Sequence, residues 1–340
     1  MRSLLPLVAA LLLLFAPGAG AGAFLVHTAI RFNDPAQGRA LLTRRDDFVE
    51  RLSPFDRAAR LKTGHVVSER EYLDFVGANV LPWGQTERRS VENALQQIQP
   101  RLVQLDPPLP VEVELIESSG REEGQAAYTR GHAIILPRAM IASSTPAELA
   151  RIIAHEFFHI ASRQDAALRD RLYAVIGFEK CNEIELPGVL AGRRITNPDA
   201  PRNDHRILVQ VNGERRWVVP ILYASSANYD TARGGEFFDY LQFRLLVVQP
   251  AGADDQWMPV LAGGEPILTS PQQVQGFFEE VGRNTDYIIH PEEILADNFA
   301  LLVTGKTDVP SPQILEGMRR ALNGAGSAPL LPRPPAEMRT

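Results

Sequence analysis

One helix start constrains this chain more than any other feature. Thr145 is a good N-cap, Pro146 takes the first helical position, where its missing N–H is no loss, and Glu148 completes a capping box. Leu149, Ile152, Ile153 and Phe157 then recur at helical spacing, so the sequence predicts an amphipathic helix over 146–163. The patterns around it alternate. Residues 24–110 read as mainly helical, with apolar periodicity over 41–52, 69–80 and 91–105. Residues 111–116 alternate apolar and acidic, and 128–136 read as a second strand. Asn197-Pro198-Asp199-Ala200-Pro201 is turn chemistry, and Asn212-Gly213 between 207–211 and 217–219 is a hairpin signal. Residues 236–248 fit helix and strand equally, and 291–303 read as a helix stopped by Gly305. The expected fold class is α+β with a mixed sheet, in a domain spanning 111–310 behind the helical region 24–110. Residues 311–340 follow, their end from Gly324 rich in proline and small residues and expected to be disordered.

The first 23 residues form a separate object. Arg2, the apolar run Leu4 to Ala16 and the small residues ending Ala21-Gly22-Ala23 have the layout of a secretory signal peptide. The apolar run is short for a membrane span, no later stretch is long enough, and no cysteine stands near the cleavage site to carry a lipid. The chain is therefore expected in the periplasm or the medium without a stable membrane anchor. Cleavage would remove one positive charge, so the formal charge of -6 would become -7. That mild charge and the lack of a long basic run argue against nucleic acid as a partner. Cys181 is the only cysteine, so neither an internal disulfide nor a multi-thiolate metal site is possible, and the fold must rely on its core.

The predicted helix carries His155-Glu156-Phe157-Phe158-His159. Residues four apart lie on one helix face, so both imidazoles can bind one metal ion while Glu156 reaches its water. Two histidines in a core can also simply be hydrogen-bonded, but that gives no reason for the glutamate between them. A catalytic zinc needs a third protein ligand and an open position. Glu293 is the first candidate, because Glu293 and Asp297 are also four apart on a helix, so that one carboxylate can bind metal and the other accept a ligand histidine's N–H. Glu292, His290 and Asp165 remain as alternatives, Asp165 lying six residues after His159 without a glycine between. Tyr128, Tyr229, Tyr240, Tyr287 and His290 are the possible donors to a developing oxyanion. His27, His65, His132 and His205 read as structural or exposed.

The helix motif together with a distant Glu-x-x-x-Asp resembles the gluzincins, the thermolysin-like zinc metallopeptidases. The resemblance covers about a dozen residues on two helices. It departs from the family in having Glu292 where asparagine is usual and in the 134 positions between His159 and Glu293. It implies a zincin-like domain with Zn2+ on His155, His159 and Glu293, Glu156 as general base and Asp297 as partner of His155. It further implies that the strand over 128–136 pairs with an extended peptide or protein substrate. Two other readings compete. Deformylases use the same helix motif with a cysteine ligand, for which only Cys181 is available. A non-catalytic zinc-containing protein that binds peptides or envelope partners would have no use for Glu156.

Overall fold

The computed structural model describes residues 24–25, 27–252 and 256–324; the expected signal peptide and the proline-rich end lie outside them. Its first sheet is mixed. Strands Thr28–Phe32, Glu112–Ser118 and Ala133–Pro137 run parallel, and Tyr128–Arg130 is antiparallel at one edge. Side chains alternate between the faces, as the strand period of two requires. Ile30, Val113, Leu115, Ile134 and Leu136 enter the main core, under helices Gln85–Leu105, Pro146–Gln164 and Pro291–Thr304. Ile116, Ala133, Ile135 and Tyr128 face a second core, built with helices Pro35–Leu42, Pro54–Leu61 and Glu69–Ala78. The sheet is thus buried between two helical layers. Residues 24–110 supply a strand of this sheet and the long helix Gln85–Leu105, so they share its core with the segment after residue 110.

The second sheet is antiparallel, with Phe178–Lys180, His205–Val211, Glu214–Ala224, Leu241–Pro250 and Trp257–Pro259 in that spatial order. Asn212 and Gly213 take φ of 52° and 82°, the positive values that a two-residue hairpin turn needs. The undecided stretch 236–248 is a short 3-10 turn, Phe237–Tyr240, leading into the strand Leu241–Pro250.

Two expectations are corrected. Residues 41–52 are not one helix: Pro35–Leu42 ends at Thr43, and Asp46 caps a new helix, Asp47–Arg51, by accepting from Val49 N at 3.1 Å. Residues 128–136 are not one strand: the chain reverses at Gly131, whose φ of 58° suits glycine, and Arg130 pairs with Ala133. No helix among the described residues is long and apolar enough to cross a membrane.

Candidate metal centre

The helix Pro146–Gln164 begins as its residues dictate, with Thr145 Oγ1 accepting from Glu148 N at 3.3 Å and Glu148 Oε2 accepting from Thr145 N at 2.8 Å. Four-residue spacing sets the rings of His155 and His159 edge to face, with centroids 4.7 Å apart. Helix Pro291–Thr304 packs across it, Phe158 against Phe299 at 5.7 Å. Its own start explains where its acids point. His290 caps the helix, its Nδ1 accepting from Glu292 N at 3.1 Å, and Pro291 is the first helical residue. Glu292 and Glu293 therefore enter the buried seam between the two helices side by side.

Each carboxylate on this helix has a distinct partner. Glu293 Oε2 lies 3.1 Å from His155 Nε2 and 3.7 Å from His159 Nε2, and its Oε1 accepts from Asn197 Nδ2 at 2.6 Å. Asp297 Oδ1 lies 3.1 Å from His155 Nδ1 and accepts from Arg151 at 2.8 Å, while Oδ2 accepts from the Thr285 hydroxyl. Glu292 Oε1 lies 3.0 Å from His159 Nδ1 and also accepts from the Ser162 hydroxyl; its Oε2 accepts from the Tyr173 hydroxyl at 2.5 Å. Both imidazoles thus turn Nδ1 to an outer carboxylate and Nε2 toward Glu293, the orientation that presents Nε2 to an ion.

Two buried atoms in the seam have no hydrogen-bond partner among the described residues, His159 Nε2 and Glu156 Oε2, on residues only 1% and 4% exposed. Such atoms are expensive unless something else satisfies them. The groups of three or more ligand-type side chains among the described residues meet at this spot: His155, His159 and Glu293, and Glu156, His159 and Asp199, each with ligand atoms within 4.8 Å of one another.

The charges are mutually dependent. Burial pulls the His159 pKa down, but Asp199, Glu293 and Glu292 outweigh it and raise it to about 9. Burial acts likewise on His155, where Asp297 and Glu293 prevail and hold the proton well above the usual range. For Glu293 burial pushes up, and His159, His155 and Asn197 bring it down to about 2. Burial and then Asp199 push Glu156 up to about 8. The centre without an ion therefore keeps protons on the two nitrogens where a dication would sit.

Asp199 and Asn197 were legible in sequence only as a turn. They do form one, Asp199 N donating to Asn197 Oδ1 at 3.0 Å. The segment is held over the centre by Thr196, whose N–H donates to both oxygens of Asp56 at 3.1 Å and whose hydroxyl lies 2.8 Å from Asp56 Oδ2. Asp56 is in turn paired with the fully buried Arg60 at 2.7 Å, and Arg60 bonds Glu123 Oε1 and Oε2 at 2.7 and 2.8 Å. The helical N-terminal region thus reaches the centre through an ion cluster that no local pattern announces.

The remaining candidates lie elsewhere. Asp165 caps helix Ala166–Val175, accepting from Leu168 N at 2.9 Å. Tyr229 and Tyr240 donate to backbone carbonyls of residues 230–235, and Tyr128 lies 3.5 Å from Glu122. Tyr287 alone of the tyrosines proposed as donors packs beside a centre histidine, 6.5 Å from the His155 ring and 41% exposed. His205 is buried between Asp204 and Asp170, His65 pairs with Glu71, and His27 and His132 are exposed. Cys181 belongs to neither ion group; it packs against the cluster of Ile184 and Leu186, and burial raises its thiol to about 11.

Beside the centre runs a cleft open to solvent. Ala127, Leu222 and Phe238 give it apolar walls, and Asn197, Asp199 and Tyr287 join it to the centre. The chain matches no protein-family model, no curated protein and no solved structure.

Proposed function

We propose that the protein is an exported zinc-dependent peptidase with a zincin-like catalytic domain, cleaving peptide bonds with Glu156 as general base. The reading rests above all on the donor set His155 Nε2, His159 Nε2 and Glu293 Oε2. Zinc holds nitrogen and oxygen at about 2.0–2.2 Å, which puts tetrahedral ligands roughly 3.3 Å apart. The two distances from Glu293 Oε2, 3.1 and 3.7 Å, bracket that spacing, and one of the nitrogens is a buried atom without a partner. These residues therefore fit the ion. Asn197 occupies the other oxygen of Glu293, which leaves Oε2 as the ligand atom. Asp297 and Glu292 hold the two imidazoles from behind.

Zinc bound there supplies a Lewis acid that polarises a carbonyl and lowers the pKa of water to about 7. Glu156, adjacent to His155, is raised to about 8 in the metal-free fold; a dication beside it would favour its carboxylate, which would then take the proton of the attacking water and deliver it to the leaving amine. Tyr287, on the cleft wall beside His155, is placed to donate to the developing oxyanion. Its backbone is fixed by Tyr287 N donating to Thr285 Oγ1 at 2.9 Å, and the Thr285 hydroxyl is itself bound to Asp297. The cleft takes a peptide or protein substrate.

Metal analysis of the chain without its first 23 residues tests this reading. About one zinc per chain is expected, lost in His155→Ala. Glu156→Gln should keep the zinc and lose peptide hydrolysis by several orders of magnitude. A wild type that takes up no zinc at neutral pH refutes the centre. A zinc-bound wild type that hydrolyses no peptide, in which Glu156→Gln changes nothing, favours the non-catalytic binding protein.

A further inference from the structure

Asp199 faces the centre with one oxygen to spare. Its Oδ1 accepts from Thr129 N at 2.8 Å and from the Thr129 hydroxyl at 2.5 Å, while Oδ2 makes no hydrogen bond among the described residues. No lysine or arginine side chain among them forms an ion pair with it; Arg163 donates to its backbone oxygen at 3.3 Å and to the Thr129 hydroxyl at 3.0 Å, and acts on the carboxylate only through its charge. One of its oxygens lies within 4.8 Å of ligand atoms of both Glu156 and His159. Glu156 Oε2 is buried and has no hydrogen-bond partner among the described residues. The side chain also borders the cleft, so a ligand there can reach it.

Two carboxylates held this close repel, and a cation relieves them; in the metal-free fold that positive charge comes from His159 and Arg163, and His159 gives its share up when a metal ion takes its Nε2. The bound metal ion would satisfy Glu293 and the histidines, but Asp199 shares no ligand group with His155 and Glu293. The oxygen of Asp199 left without a hydrogen bond borders the cleft, where a positive charge carried by the substrate can meet it. Resting on the peptidase reading above, we infer that Asp199 anchors the free α-ammonium group of a peptide, so that the enzyme removes residues from the N-terminus. Proximity selects the α-amine. A carboxylate this close to the His159 and Glu156 ligand atoms meets the substrate within a bond or two of the scissile carbonyl, where a lysine or arginine side chain would have passed by. The sheet edge agrees. Thr129 lies on the outermost strand, and the backbone N–H that an extended chain would use there is already taken by Asp199. Substrate residues ahead of the first one therefore find no strand to pair with.

The test uses the zinc-loaded chain and two ligands, leucine hydroxamate and its analogue lacking the amine. Both present the same side chain and metal-binding group, so only the ammonium differs. In the wild type the free amine should tighten binding about tenfold to a hundredfold, the range of one charge-assisted hydrogen bond. Asp199→Asn should keep its zinc affinity and lose that preference. Equal affinity of the wild type for the two ligands overturns the anchor and leaves the peptidase reading standing. Loss of zinc from Asp199→Asn as complete as from His159→Ala makes Asp199 a metal ligand and also overturns it. A wild type that takes up no zinc removes both readings together.

Discussion

Glu292 offers the sharpest test of how the centre is tuned. The gluzincin resemblance puts an amide at this position, and the chain has a carboxylate that is 1% exposed and accepts from His159, Ser162 and Tyr173. Burial favours its neutral form, but the hydrogen bond from His159 and those of the two hydroxyls hold it below the usual glutamate range, so it is charged. Glu292→Gln keeps shape and size. Its amide oxygen can still accept from His159 and Ser162, and its NH2 can donate to a Tyr173 hydroxyl that has turned to accept, so no buried group is orphaned. What disappears is the charge behind His159 Nδ1. A hydrogen bond to a charged acceptor contributes about 1.5–3 kcal/mol and a neutral one about 0.5–1.5, so roughly 1–1.5 kcal/mol is lost. At 1.4 kcal/mol per decade this weakens zinc about tenfold, the lower end of the range for such outer partners. Competition with a chromophoric chelator at pH 7 measures it, with His159→Ala as reference. Unchanged affinity would refute the tuning role. A loss as large as in His159→Ala would instead make Glu292 a ligand.

Two further outcomes are expected. His159, raised from 6.5 to about 9, holds a proton at neutral pH that the metal must expel, as does His155. Zinc uptake at pH 7 should therefore release a proton from each histidine, read by calorimetry in buffers of different ionisation enthalpy, and zinc affinity should rise with pH up to about 9. The sign for the metal-free fold is opposite: stabilisation from a raised histidine is complete below 6.5 and fades as pH climbs through about 9. Uptake without proton release would refute the charge state. Thr196→Val removes the hydroxyl bound to buried Asp56 and should lower unfolding free energy by about 1–3 kcal/mol. Urea unfolding with an unchanged m-value reads this, and a change under about 0.5 kcal/mol would show that the segment 195–201 is not held through that bond.

How much was legible follows the range of the forces involved. The cap at Thr145, the shared face of His155 and His159, the spacing of Glu293 and Asp297 and the Asn212-Gly213 hairpin are set within four residues by backbone geometry, and each was readable. The helix read over 41–52 failed because Asp46 restarts the helix in the middle of a continuous apolar pattern, and the strand read over 128–136 failed because Gly131 reverses the chain without breaking it. The centre itself was half legible. Its histidines and Glu156 came from one motif, and the spacing to Asp297 put Glu293 ahead of Glu292, but which of the two acids meets Nε2 depended on how two helices cross. Adjacent acids on one helix turn point in different directions, and only the packing says which meets Nε2 and which meets Nδ1.

That a capped helix presents two imidazoles and a carboxylate on one side follows from relations that close over a few residues, so the order of amino acids is enough to fix it. That Asn197 and Asp199 reach into that site emerges only once the chain is folded. Their place depends on Thr196 binding Asp56 from 140 positions away and on Thr129 at the sheet edge, contacts made when the core closes and invisible to any local pattern.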